Sequence, residues 1–537
     1  MKLKYLAVLT LLSLAFAPSK SDALDLGELA FFGRCYAHLT GRALPLNHPL
    51  RAGLRNGSVD ALTACKALFA KGQLDSTTHE VNKTDPEAML VFQNIYSLHR
   101  TWFNAIDYVQ MQGFWADGTY DVWDANTPAI MLNNILFAKG ADTKQYRSIF
   151  KDTSGYLGIR TLDTVENARF RGGVWHNYPT RIFDFGSPTY GVAQLSEKTT
   201  MSYGGPGASI TVPFTGITVG ELTGVKVDDR STTISNYAPG ILWKDISVYS
   251  GTAKVENALQ TAGMIPSFDI FQREGGGILG DPAFMLINWG HPTGVRMDGA
   301  LKMPRRLVKN AMEALLCKEF PVLRETDVLS YVDVSGGATV APFRKSSTCV
   351  QCHATFDQIG SVYRNHLVSF SDWNTGNPGH DPQDGAGFAI KVVHLMGRFN
   401  GALPDSGVWS STPVTNYEKQ APAGRVYFRE FSGNLVNQPV NGIQQVGDTL
   451  AESNDLYLCA AKRYFQYFTG FNVKLYDRGD PRFLTTVQSL TQQERSLRQY
   501  LEKLATNFKN DQSSYNLIQS IISSPYYRDL NYSPGVQ

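Results

Sequence analysis

The stretch "SSTCVQCHATFDQIGSVYRNH", residues 346–366, sets two cysteines three apart and a histidine directly after the second. On one turn of helix Cys349, Cys352 and His353 share a face, because positions three and four apart are neighbours there. Two thiols so placed can each add to a vinyl group of one haem, while the imidazole binds its iron. With six Cys and ten His in 537 residues, chance supplies the pattern in about one such chain per thousand. Zinc is the next reading, but a structural zinc site draws four ligands from two separated pairs, and no second pair is visible. A disulfide exchanger wants its Cys-x-x-Cys at the start of a helix that follows a strand, whereas "VAPFRKSST" reads as loop.

The reading that follows is one covalent c-type haem, with Cys349 and Cys352 as anchors and His353 as the proximal iron ligand. The sixth ligand decides between electron transfer and ligand chemistry. Met396, in "KVVHLMGRFNGALP", is the favoured residue. His394 and His366 compete with it, and an open position is the fourth possibility.

The start of the chain agrees with haem attachment outside the cytoplasm. Lys2 and Lys4 precede the apolar run "YLAVLTLLSLAFA", and Ser21 and Ala23 stand at the positions before a cleavage site, so export with cleavage after Ala23 is expected. No later segment approaches 18 uninterrupted apolar residues, so no transmembrane segment is expected in the mature chain. An oxidising compartment then bears on Cys35, Cys65, Cys317 and Cys459, which allow three pairings. Cys35 with Cys65 is favoured because its loop is local, which leaves Cys317 for Cys459.

The whole chain is long for one core, and 43% hydrophobic and 12% aromatic residues describe a packed globular protein. Fifty basic against 48 acidic residues leave a formal charge of +2, with no basic stripe to suggest nucleic acid as a partner. The pattern predicts a mainly α, multidomain protein with a β-rich insertion and a cytochrome c-like helical domain around the Cys-x-x-Cys-His motif. The expected parts are a signal peptide over 1–23, a helical domain over 24–155, a β-rich middle over 156–300, the haem domain over 301–415 and a helical domain over 416–537.

Local signals support these parts. In "TDPEAMLVFQNIYSLHRTWFN", Asp85 can cap a helix and Pro86 suits its first turn, with Met89, Phe92, Tyr96, His99 and Trp102 on one face. Between about 185 and 251, β-branched residues alternate. "RRLVKNAMEALLC", 305–317, reads as helix, and 335–347 as loop. Thr491 and Glu494 form a capping-box pattern ahead of Leu497, Leu501, Leu504 and Phe508. A further helix with Leu517, Ile518, Ile521 and Ile522 stops at Ser524-Pro525. "GGGILG", 275–280, satisfies Gly-x-Gly-x-x-Gly but follows no clear strand and reads as a turn. No nucleotide-binding or hydrolase signature is present.

The segments "GALKMPRRLVKNAMEALLCKEFPVL" and "FRKSSTCVQCHATFDQIGSVYRN" together resemble the haem-attachment domain of the planctomycete-type exported cytochrome-like family. There a Leu-Leu-Cys and proline segment precedes Cys-x-x-Cys-His and an Asp-x-x-Gly, here Leu315 to Cys317, Pro321, Cys349 to His353 and Asp357 to Gly360. "FFGRCYAHLTGRAL" and the last hundred residues are similar to the family's helical opening and its short closing domain. One Pro stands where the family has a longer run, and the β-rich stretch has no counterpart. The resemblance implies a periplasmic or cell-surface c-type cytochrome-like protein. Its expected work is one-electron exchange with a redox partner protein in the envelope. The alternatives are a peroxidase-like oxidoreductase with an open sixth site, and an envelope binding or scaffold module that haem merely staples. The sequence sets no oligomeric state.

Overall fold

The computed structural model describes residues 27–76, 81, 82, 84–103, 127–140, 143–151, 276–280, 284, 285, 288, 299–337, 340–363, 423–477 and 479–529. It also describes the backbone of strand segments at 156–158, 192–194, 200–205, 208–213, 246–248, 367–372, 388–394, 402–403 and 408–409. The expected signal peptide, Met396 and His366 lie outside the described residues.

The described part is mostly helical. Its main helices are α1 (Glu28–Thr40), α2 (Ala61–Ala70), α3 (Pro86–Trp102), α4 (Thr127–Phe137), α5 (Gly299–Leu316), α6 (Ser347–Gly360), α7 (Gly442–Glu452), α8 (Asn454–Thr469), α9 (Gln492–Asp511) and α10 (Ser514–Ile522). Each follows from local chemistry. The Asp85 carboxylate accepts the amide protons of Glu87 and Ala88 at the head of α3, with Pro86 in the first turn, where its missing N–H costs nothing. Thr491 and Glu494 form a reciprocal capping box at α9. Gly41 and Gly470, at φ +68° and +78°, end α1 and α8 in the left-handed conformation that glycine adopts without a Cβ clash.

Buried faces follow the helical period. In α3, Ala88, Val91, Phe92, Ile95, Tyr96, His99 and Trp102 are buried, and Met89 lies at the edge of the core. Leu497, Leu501, Leu504 and Phe508 of α9 are buried, as are Leu517, Ile518, Ile521 and Ile522 of α10. Pro525 does more than stop α10, since Ser524 and Pro525 open a further short helix, Pro525–Arg528. One cluster of buried side chains runs from Phe31 to Tyr527, so α1 and the short helix Pro525–Arg528 share a core.

Helix α8 is central to that core. It packs on α5, α9 and α10, and its Tyr464 hydroxyl lies 2.7 Å from His99 Nε2 on α3. Both expected disulfides are present: Cys35–Cys65 joins α1 to α2, and Cys317–Cys459 joins the end of α5 to α8. An antiparallel hairpin of Ala423–Arg429 and Leu435–Asn441 covers one side of α6. In the middle of the chain, strands Thr200–Gly205 and Ala208–Pro213 pair antiparallel. The Gly-rich stretch forms a tight 3-10 turn at Gly277–Gly280, as its loop reading expects. Among the described residues, no helix is long and apolar enough to cross a membrane.

Candidate haem-attachment site

The cysteine motif lies on α6, and its surroundings decide which side of that helix is available. Val350 and Ala354 are buried with Leu323, Val328, Ala341 and Tyr427 in a small second core. Polar groups on the same side are satisfied: Gln351 Nε2 donates to the Leu323 carbonyl at 2.9 Å, and Thr355 Oγ1 to the Tyr427 carbonyl at 2.6 Å. A buried hydroxyl or amide without such a partner would cost on the order of 1–3 kcal/mol. These contacts fix the rotation of α6 and leave Cys349, Cys352 and His353 on the other face.

There the Cys349 thiol is exposed and the Cys352 thiol half-buried, and neither is in a disulfide. Burial pushes the Cys352 thiol above its usual value, with Cys349 adding to the rise and Arg482 opposing it. A disulfide exchanger needs the opposite, a thiol stabilised as thiolate. The segment before α6 is a 3-10 turn, Pro342–Lys345, rather than a strand. Among the described residues no group of three or more His, Cys, Asp or Glu side chains forms a metal-ligand set.

His353 is held from two sides. Its ring stacks on Phe343, with centroids 3.9 Å apart and planes 11° from parallel. Its Nδ1 lies 3.0 Å from Asp357 Oδ2, one turn on along the helix. Asp357 is fully buried and grips Arg305 of α5, which donates from Nε to Oδ1 at 2.5 Å and from a terminal nitrogen to Oδ2 at 3.0 Å. Burial alone would raise the Asp357 carboxyl, but Arg305 and the His353 hydrogen bond outweigh it and hold the group below its usual value. Phe356 meets His353 edge-on and packs against Phe320, centroids 4.0 Å apart and planes tilted by 36°, which extends the aromatic surface.

This arrangement fits a thioether-bound haem. Two unpaired thiols one turn apart lie beside an imidazole whose Nδ1 is occupied, and Nε2 makes no hydrogen bond among the described residues. Of the other residues considered as iron ligands, His394 ends the strand Phe388–His394, its backbone paired with Leu367. The strand Ala402–Leu403 approaches α6, so the chain shortly after position 396 returns to this helix.

Arg305 and Phe343 are site residues that sequence reasoning missed, and Asp357 appeared there only as part of a family pattern. Asp357 had a usable signal, since it lies four residues after His353 and i,i+4 pairs meet on a helix. Arg305 had none, being 52 residues from its partner. No protein-family model, no curated protein and no solved structure matches this chain.

Proposed function

We propose that the chain is an exported, c-type cytochrome-like protein that carries one covalent haem and exchanges single electrons with a partner protein in the cell envelope. The observation that carries this reading is the face of α6, where Cys349, Cys352 and His353 sit together with both thiols free. In this reading the cysteines anchor the macrocycle through thioethers, and His353 offers Nε2 to the iron. The haem supplies a reversible one-electron couple when bound. The chain's own residues do the rest: the hairpin fixes the rotation of α6, Phe343 and Asp357 fix the His353 ring, and Phe320 and Phe356 supply apolar surface. Met396 is the proposed sixth ligand. The resemblance to the planctomycete-type cytochrome-like family and the two disulfides support an extracytoplasmic setting.

The hydrogen bond between His353 and Asp357 favours a second reading, a peroxidase-like oxidoreductase with an open sixth position, because a carboxylate partner makes a ligating imidazole more basic. Carbon monoxide added to the reduced protein separates the two: rapid binding supports the enzyme, and no binding supports the carrier.

The primary test is expression in a host with c-type cytochrome maturation, followed by intact mass and a pyridine haemochrome spectrum. The expected mass is that of the chain plus one haem, lost in Cys349→Ser with Cys352→Ser. A wild-type mass equal to the processed chain alone, or a Cys349–Cys352 disulfide, overturns the proposal.

A further inference from the structure

The least expected group beside the cysteine motif is a fully buried carboxylate. Asp357 faces Arg305, His353 and its own helix. Burying a carboxylate is costly unless it is paired and hydrogen-bonded. Arg305 meets that need with a bidentate grip, the strongest geometry available to a side-chain pair. A purely structural pair would leave the imidazole out, yet Oδ2 accepts from Arg305 and also lies within hydrogen-bond distance of His353 Nδ1.

We propose that the Arg305–Asp357 pair is a positioning device for His353, holding the proton on Nδ1, leaving Nε2 as the bare nitrogen, and biasing the iron toward its oxidised state. The inference rests on the haem reading and adds to it a direction for the redox balance. An imidazole whose Nδ1–H donates to a carboxylate has more electron density at Nε2, so it is a stronger ligand for the more highly charged iron. Arg305 acts through geometry: its two-point grip on Asp357 fixes the carboxylate with Oδ2 within hydrogen-bond reach of His353 Nδ1. Phe343, stacked on the ring, opposes rotation that would break the bond. Whatever potential the sixth ligand sets, Asp357 lowers it, which suits a protein that passes its electron on rather than one that retains it.

The test uses the haem-loaded protein and a spectroelectrochemical titration. In Asp357→Asn the reduced-to-oxidised ratio at a fixed ambient potential should rise at least tenfold, equivalent to about 59 mV for a one-electron couple. The iron–histidine stretching frequency of the reduced protein should fall with it. Because Asp357→Asn takes the buried carboxylate away from Arg305 and can impair folding, the double variant Arg305→Gln/Asp357→Asn, which removes both charges, is measured beside it. Full haem content with an unchanged ratio in the double variant overturns the inference. A separate measurement does not need haem: nitrogen NMR of the Cys349→Ser/Cys352→Ser chain should show His353 protonated on Nδ1. A ring protonated on Nε2 overturns the positioning role whatever the haem content. A wild-type protein that takes up no haem while showing the Nδ1-protonated ring overturns the haem reading instead, so the two failures are distinguishable.

Discussion

Lys318 and Asp455 meet at 2.6 Å with both side chains almost completely shut off from water, beside the Cys317–Cys459 disulfide. Lys318 follows Cys317 directly, and Asp455 lies one turn before Cys459 on α8. The ammonium also sits 3.5 Å from the centre of the Phe431 ring, and the Phe431 amide donates to both Asp455 oxygens at 3.1 Å. Burial pushes the Asp455 carboxyl up to about 6, against the pull of Lys318, and pushes the Lys318 ammonium down. Desolvation thus works against both charges, and the pair persists because each is the other's main compensation.

That balance predicts a non-additive pair of variants. Lys318→Met alone leaves Asp455 buried without its counter-ion and should cost about 3–5 kcal/mol of stability. The double variant Lys318→Met/Asp455→Leu should recover most of that loss. Urea unfolding of the four chains of the cycle measures both, and strictly additive losses would contradict the account.

His99 predicts an acid limit on stability. It is fully buried between Asn133 and Tyr464, and burial pushes its imidazole down to about 3, with the Asn133 hydrogen bond opposing. In the unfolded chain it titrates near 6.5. Between those values the unfolded chain binds more protons, so stability should fall as pH drops from 6.5 toward 3 and stay unaffected by this group above 6.5. The contribution is on the order of 5 kcal/mol. His99→Gln should flatten the pH dependence of the urea midpoint over that window, and an unchanged slope would remove His99 as its source.

Gly424 predicts that the hairpin and α6 tolerate no added methyl group between them. A Cβ on Gly424 would fall 2.1 Å from the Gln358 carbonyl oxygen and 2.7 Å from Ser361 Oγ, which itself donates to that carbonyl. Gly424→Ala should therefore force the hairpin off the helix and cost about 1–3 kcal/mol. Thermal unfolding followed by circular dichroism checks this, with Gly337→Ala, where no atom lies within 4 Å of the added carbon, as the comparison.

Features governed by neighbouring residues were legible in the sequence, and features made by distant ones were not. Asp85 with Pro86, and Thr491 with Glu494, announced the starts of α3 and α9 because a cap is made within one turn. The helix expected over 305–317 ends at Leu316, and Cys317 turns left-handed at φ 53°, a reversal its side chain does not advertise. The local Cys35–Cys65 pairing could be argued from separation, whereas Cys317–Cys459, 142 residues apart, followed only by elimination. At the site, spacing gave Cys349, Cys352 and His353, but not the guanidinium that reaches Asp357 from another helix. Nor did any periodicity show that His99 would be covered by Tyr464, because the two are 365 positions apart.

The Arg34 guanidinium on α1 donates to the main-chain oxygens of Tyr527, at 2.8 Å, and Phe468, at 3.2 Å. The opening segment is therefore latched by the closing one. A chain growing from its amino end completes this latch only once Tyr527 has been made, so a product cut short before that residue would leave the greasy side of α1 without part of its cover.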